Sequence, residues 1–91
     1  MKSRRTSYEI YWEILTFCRT ARSFTHVVNR CDLNSKIGQD YVDFLISKGY
    51  LRKVPEGERL LLCTTAAAKD YIDAFSRLYQ SLYRDAPEFK L

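Results

Sequence analysis

The sequence predicts an α+β fold that is mostly helical: three helices, a two-stranded hairpin and a long C-terminal helix. Three observations carry that expectation. Residues 34–48 show a helical apolar period that begins at a polar cap and stops before Gly49. Two short runs of β-type residues flank the turn signal Pro55-Glu56-Gly57-Glu58. Beyond them, residues 64–84 carry aromatic and leucine side chains at heptad-like steps.

Composition bounds what such a chain can do. Its 91 residues make one domain with a modest core and no deep enclosed active site. Three glycines and two prolines favour helices over a glycine-rich cofactor loop. No apolar run approaches the ~20 residues that span a bilayer, and the basic start MKSRR is not followed by the apolar run of a signal peptide. The expected location is cytoplasmic, with no membrane partner. Cys18, Cys31 and Cys63 have neither an even count nor a Cys-x-x-Cys spacing, so they read as buried small hydrophobes. A redox-sensing pair requires the fold to bring two of them close. His26 is the only histidine and has no second ligand at metal spacing. No cofactor, no metal and no catalytic set is expected, and the chain is read as non-enzymatic.

The net charge of +4 is uneven. Residues 1–36 hold seven basic side chains against three acidic ones, which accounts for the whole excess; the remaining two thirds balance. A cationic region on a small domain points to an anionic partner, nucleic acid above all.

In chain order, residues 1–6 are a short basic arm carrying Arg4 and Arg5. Residues 8–20 are the first helix, capped by Thr6 or Ser7 with Glu9 in its first turn. Its stripe is Ile10, Ile14, Phe17 and Cys18, and Trp12 either covers the core edge or faces a partner chain. Residues 23–32 are a short second helix capped by Ser23 or Thr25, with Phe24, Val27, Val28 and Cys31 inward. Leu33 plugs a tight turn into the third helix, the arrangement of a helix-turn-helix. That third helix is capped by Asn34. Its expected apolar face is Ile37, Tyr41, Phe44 and Leu45, and its polar face Ser35, Lys36, Gln39, Asp40, Asp43 and Ser47. Strands 50–54 and 59–63 form a hairpin with Glu56 and Glu58 at the tip. Thr64 or Thr65 caps the last helix. The expected divisions are an arm 1–6, a domain 7–63, a pairing helix 64–84 and a tail 85–91.

This order of elements resembles the archaeal winged-helix regulator family, which includes small DNA-binding proteins that dimerise through an antiparallel coiled coil of their last helices. The resemblance is carried by EIYWEIL in the first helix, YVDFLISKGYLRK across the third helix and first strand, and LLLCTTAAAKDYI at the second strand and last helix. It implies a winged helix-turn-helix fold, a double-stranded DNA partner and a homodimer acting in transcription regulation or on chromatin. Gly38 stands where the family usually has an apolar residue. A helix-interior glycine costs about 1 kcal/mol, so it marks a close approach, either to the second helix or to a phosphate.

Docked in a major groove, the first turn of the third helix presents Asn34, Ser35, Lys36 and Gln39 to base edges. Gln39 suits adenine, and Lys36 suits guanine or phosphate. Arg22, Thr25, His26 and Arg30 are the expected backbone contacts, and Arg4, Arg5, Arg52, Lys53 and Arg59 the outer ones. The expected dimer face is Tyr71, Ile72, Phe75, Leu78, Tyr79 and Leu82, because a helix this long outruns so small a domain. Asp40, Asp43, Glu56 and Glu58 close to the supposed DNA face motivate the alternative. In that reading the same fold is a protein-protein interaction module without DNA binding.

Overall fold

A computed structural model describes residues 5–84, with side chains through residue 82. Arg4 and the expected tail 85–91 lie outside the described residues. The elements follow as α1 (Ser7–Phe17), β1 (Arg22–Ser23), α2 (Phe24–Arg30), α3 (Ser35–Ser47), β2 (Leu51–Glu56), β3 (Arg59–Thr64), a 3-10 turn (Ala66–Ala68) and α4 (Lys69–Arg84).

Local sequence explains each boundary. Thr6 and Glu9 form a reciprocal capping box: Glu9 N donates to Thr6 Oγ1 at 3.1 Å and Thr6 N to the Glu9 carboxylate at 3.0 Å. The cap fixes the start of α1. α1 stops at Phe17, three residues early, because the carbonyl of the next residue, Cys18, accepts from Thr64 N at 2.9 Å. α2 ends with Asp32 in the left-handed region (φ 58°) and Leu33 N donating to Val28 O at 2.9 Å. α3 ends in the same way, with Gly49 at φ 80° and Tyr50 N donating to Leu45 O at 3.0 Å. Both are Schellman ends, which satisfy the last carbonyls and send the chain sharply onward.

The sheet has three strands in the order β1-β3-β2, not two. β1 is a two-residue strand pairing Arg22 with Leu62 and Ser23 with Leu61. It is too short to show a period, which is why periodicity misses it. Pro55 is tolerated because β2 is an edge strand. Gly57 takes the positive φ of 63° that a tight hairpin loop requires.

The core joins Ile10, Ile14, Leu15 and Cys18 of α1 to Val27, Cys31, Val42, Leu45, Leu51, Leu62, Ala68 and Ile72. One face is corrected. α3 buries Gly38, Val42 and Leu45, whereas Ile37 and Phe44 are 45% and 43% exposed. The cause is Gly38: a Cβ there would lie 2.4 Å from Val28 Cγ1. The bare backbone lets α2 come so close that α3 turns residue 38 inward and its larger apolar neighbours outward. Of the two close approaches open to Gly38, the one to the second helix is the one observed.

Thr64 and Thr65 also depart from expectation. Their hydroxyls do not cap the last helix. Thr64 Oγ1 donates to Leu15 O at 2.7 Å and Thr65 Oγ1 to Gly49 O at 2.6 Å, tying the end of β3 to α1 and to the end of α3. The last helix therefore opens on a 3-10 turn. Trp12 faces this helix. Its ring lies 5.6 Å from Phe75 and 5.5 Å from Tyr79, and its Nε1 donates to Ser76 Oγ at 3.0 Å.

Burial also sets an alkaline limit. It pushes the Cys18 thiol from 9.0 up to about 12 and the Tyr71 phenol from 10.0 up to about 12. Both groups are neutral in the folded chain at pH values where the unfolded chain ionises. Their contribution is complete below pH 9 and is lost as pH climbs towards 12. Urea midpoints measured along this range are expected to fall steadily, and Cys18→Ala to delay the first part of the fall. Held as a thiol, Cys18 also lacks the thiolate that oxidation needs.

Candidate nucleic-acid interface

The first turn of α3 is fixed by its cap. Asn34 Oδ1 accepts from Ile37 N at 2.8 Å, so this side chain positions the helix rather than projecting from it. Ser35 and Lys36 follow, both exposed, at the positive end of the helix dipole. Gln39 is exposed as well, but its Nε2 donates to Asp43 Oδ1 at 2.8 Å. That bond presets the amide and uses one of its two N–H donors, leaving the second N–H and Oε1 for a base edge. Lys36, Asp40, Asp43 and Ser47 make up the outermost face, one cation against two carboxylates.

The other predicted contacts separate into two groups. Thr25 and His26 are exposed in the first turn of α2, where Ser23 Oγ accepts from His26 N at 3.2 Å. Asn29 is exposed one turn beyond Thr25 and joins this edge; spacing of four residues on a helix was the signal for it. Arg22 and Arg30 turn elsewhere. Arg22 Nε donates to Phe17 O at 3.2 Å, and its guanidinium lies 4.4 Å from the Phe17 ring centroid. The Arg30 guanidinium lies 5.8 Å from the same centroid. Arg30 follows His26 by four residues and so starts from the same edge of α2; it is its guanidinium that leaves this edge for the Phe17 ring. Arg5 is drawn inward: it pairs with the Glu13 carboxylate and donates to Cys31 O at 2.7 Å.

On the hairpin, strand alternation sorts the cations by face. Arg52 pairs with Cys63 and Glu56 with Arg59, which places Arg52 and Arg59 on one face; Lys53, opposite Leu62, is on the other. All three are exposed. The α4 residues sort by depth. Ile72 belongs to the chain's own core, and Tyr71 donates to Tyr8 O and stacks on Tyr50. Phe75 and Tyr79 rest on Trp12, while Leu78 and Leu82 are 62% and 58% exposed.

Sequence reasoning missed one surface. Tyr11, Ile37, Asp40, Tyr41 and Phe44 line a shallow groove of about 330 Å³ beside α3. Periodicity had assigned Ile37, Tyr41 and Phe44 to the core. Among the described residues there is no group of three or more potential metal ligands, and no helix long and apolar enough to cross a membrane.

The fold has close counterparts. Sso10a-2, a DNA-binding protein from Sulfolobus solfataricus, superposes with a TM-score of 0.72 at 28% identity, over 88% of this chain and 87% of that one. The transcriptional regulator BldR from the same organism gives 0.70 at 17% identity, over 88% of this chain and 63% of its own. MepR, a transcription regulator of a Staphylococcus aureus multidrug efflux pump, gives 0.68 at 10% identity, over 90% of this chain and 64% of its own. The chain thus spans less than two thirds of the two larger regulators. A comparison with curated protein sequences finds no match. A family profile described as winged helix-turn-helix matches residues 4–80, the helix order, the hairpin and most of α4 included. The chain belongs to the winged helix-turn-helix family.

Proposed function

We propose that this protein is a DNA-binding regulator, without enzymatic activity, that works in the cytoplasm as a homodimer and lays the first turn of α3 in the major groove. The observation that carries the reading is the shared exposure of Ser35 and Lys36 on α3, Thr25 and His26 on α2, and Arg52 and Arg59 on one face of the hairpin. The similarity to Sso10a-2 along nearly the whole of both chains supports DNA as the partner. The outer face of α3 carries one cation against two carboxylates, so affinity comes mainly from the hairpin cations and selectivity from Lys36 and Gln39. Selection of bound sequences from random duplex DNA tests the reading. Lys36→Ala with Gln39→Ala is expected to flatten base preference by about 1–3 kcal/mol at the contacted positions and to lower total affinity less. An unchanged preference means that α3 reads no bases.

The division of labour follows the same reading: residues 7–63 dock on DNA and residues 64–84 pair two copies. The exposed Leu78 and Leu82 support pairing through the outer half of α4, one step round the helix from the residues used internally. Leu78→Glu with Leu82→Glu is expected to halve the mass in solution, to keep the helical circular dichroism, and to lower the melting temperature to a value independent of protein concentration. Equal masses for parent and variant mean that α4 does not hold the pair. A regulator role and a chromatin role share this geometry, and the selected site separates them: a regulator gives a consensus, a chromatin factor none.

A specific observation favours a second reading. The groove of Tyr11, Ile37, Tyr41 and Phe44 with Asp40 at its rim is apolar and faces outward, as a protein-docking surface does. In that reading duplex DNA does not bind, and Phe44→Glu abolishes capture of the protein partner.

A further inference from the structure

The arginines that turn away from α3 form a site of their own. Trp12, Glu13, Thr16, Phe17, Arg19, Arg22 and Arg30 line a groove of about 420 Å³ between the C-terminal half of α1 and the C-terminal end of α2. That volume suits a small ligand. We propose that this groove binds a small phosphorylated ligand, separately from the DNA surface.

Charge is the first argument. Three arginines line the groove against one carboxylate, Glu13, and that carboxylate is already paired with Arg5. Arg22 and Arg30 approach the same phenyl ring, so two like charges share one small space. Among the described residues Glu13 is the one carboxylate lining the groove, so the arrangement leaves room for the counter-charge that an anion supplies.

Geometry is the second. Arg22 uses Nε on the Phe17 carbonyl and stacks on the ring, which holds the planar fork in place. Among the described residues its terminal nitrogens have no hydrogen-bond partner, and nor do those of Arg30. A guanidinium fork accepts two oxygens of one phosphate, and a dianion satisfies more than one fork where a single carboxylate does not. Position is the third. The Arg22 and Arg30 guanidiniums both lie over the Phe17 ring of α1, and Arg22 is half-buried, so their charged ends are directed to α1 and not to α3, although the Arg30 backbone is one turn from His26. The ligand touches α1, β1 and α2 at once and braces α2, the helix against which α3 is set.

Trp12 is the only tryptophan and lines the groove, so its fluorescence reports on it directly. The test titrates the full chain with pyrophosphate, against sodium chloride at matched ionic strength. A saturable change with pyrophosphate alone is expected. Arg22→Gln with Arg30→Gln is expected to weaken it at least tenfold, and Arg52→Gln with Lys53→Gln to leave it unchanged. Arg30→Gln by itself keeps the Arg22 anchor on Phe17, so a tenfold loss in that folded variant excludes misfolding as the cause. A change that does not saturate, or one that the hairpin variant weakens as much as the groove variant, overturns the proposal. So does a groove variant whose only effect is to lower the salt dependence of duplex binding, since the arginines would then be contacts to DNA phosphate. Failure of duplex binding with pyrophosphate binding intact removes the DNA reading and leaves this site standing.

Discussion

Gly38→Val is expected to destabilise the domain by about 2–3 kcal/mol, the cost of forcing extra carbons into a packed interface. The position is unforgiving because a Cβ alone would lie 2.4 Å from Val28 Cγ1 and 3.7 Å from the Phe24 ring. Val28 is itself β-branched and 7% exposed, so it cannot swing aside. The usual gain from removing a helix-interior glycine, about 1 kcal/mol for alanine, offsets only part of the clash. α2 and α3 must move apart, and the two helices then lose the crossing that aligns their first turns. The size-swapped pair Gly38→Ala with Val28→Ala restores room and is expected to be more stable than the sum of its single changes. Urea unfolding measures the parent and the four variants. A Gly38→Val variant as stable as the parent would mean that the helices meet elsewhere.

Removing the hairpin cations has the largest expected effect on binding. Each phosphate neutralised contributes a factor of about 8 at 0.1 M salt, from a log–log slope of roughly −0.9 per contact. Arg52→Ala, Lys53→Ala and Arg59→Ala together are therefore expected to weaken duplex binding on the order of 10²-fold. The salt slope should flatten by about 2 to 3, with the smaller value if Lys53, on the opposite face of the strand, makes no contact. The hairpin itself should persist, since its register rests on main-chain pairing and on the buried Leu51, Leu61 and Leu62. Anisotropy titrations across a range of salt read both quantities.

Much of the fold was legible because its signals are local. Asn34 before the period and Gly49 after it bracket α3, and the turn at Gly57 separates two strands. The misses share a different cause: they depend on contacts distant in sequence. The rotation of α3 comes from Val28 pressing on Gly38, which a hydrophobic count scores as nothing. β1 exists only as a partner of β3. The threonines at 64 and 65 look like caps but are spent on the carbonyls of Leu15 and Gly49.

The candidate site was legible in outline only. Sequence showed where the cations are along the chain, not which way they face. Arg5 is bound inside by Glu13, and Arg22 and Arg30 gather at Phe17, so the basic N-terminal third is not one surface. A residue's face depends on which flank of a short helix packs, and α2, with seven residues, carries too little pattern to fix it.

Duplex binding against salt tests DNA recognition by this protein most directly. A labelled random-sequence duplex is titrated with the full chain at several sodium chloride concentrations. Saturable binding at low micromolar protein or below is expected, weakening with a log–log slope of about −3 or steeper. No saturable binding at low salt, or a slope near zero, would contradict DNA recognition.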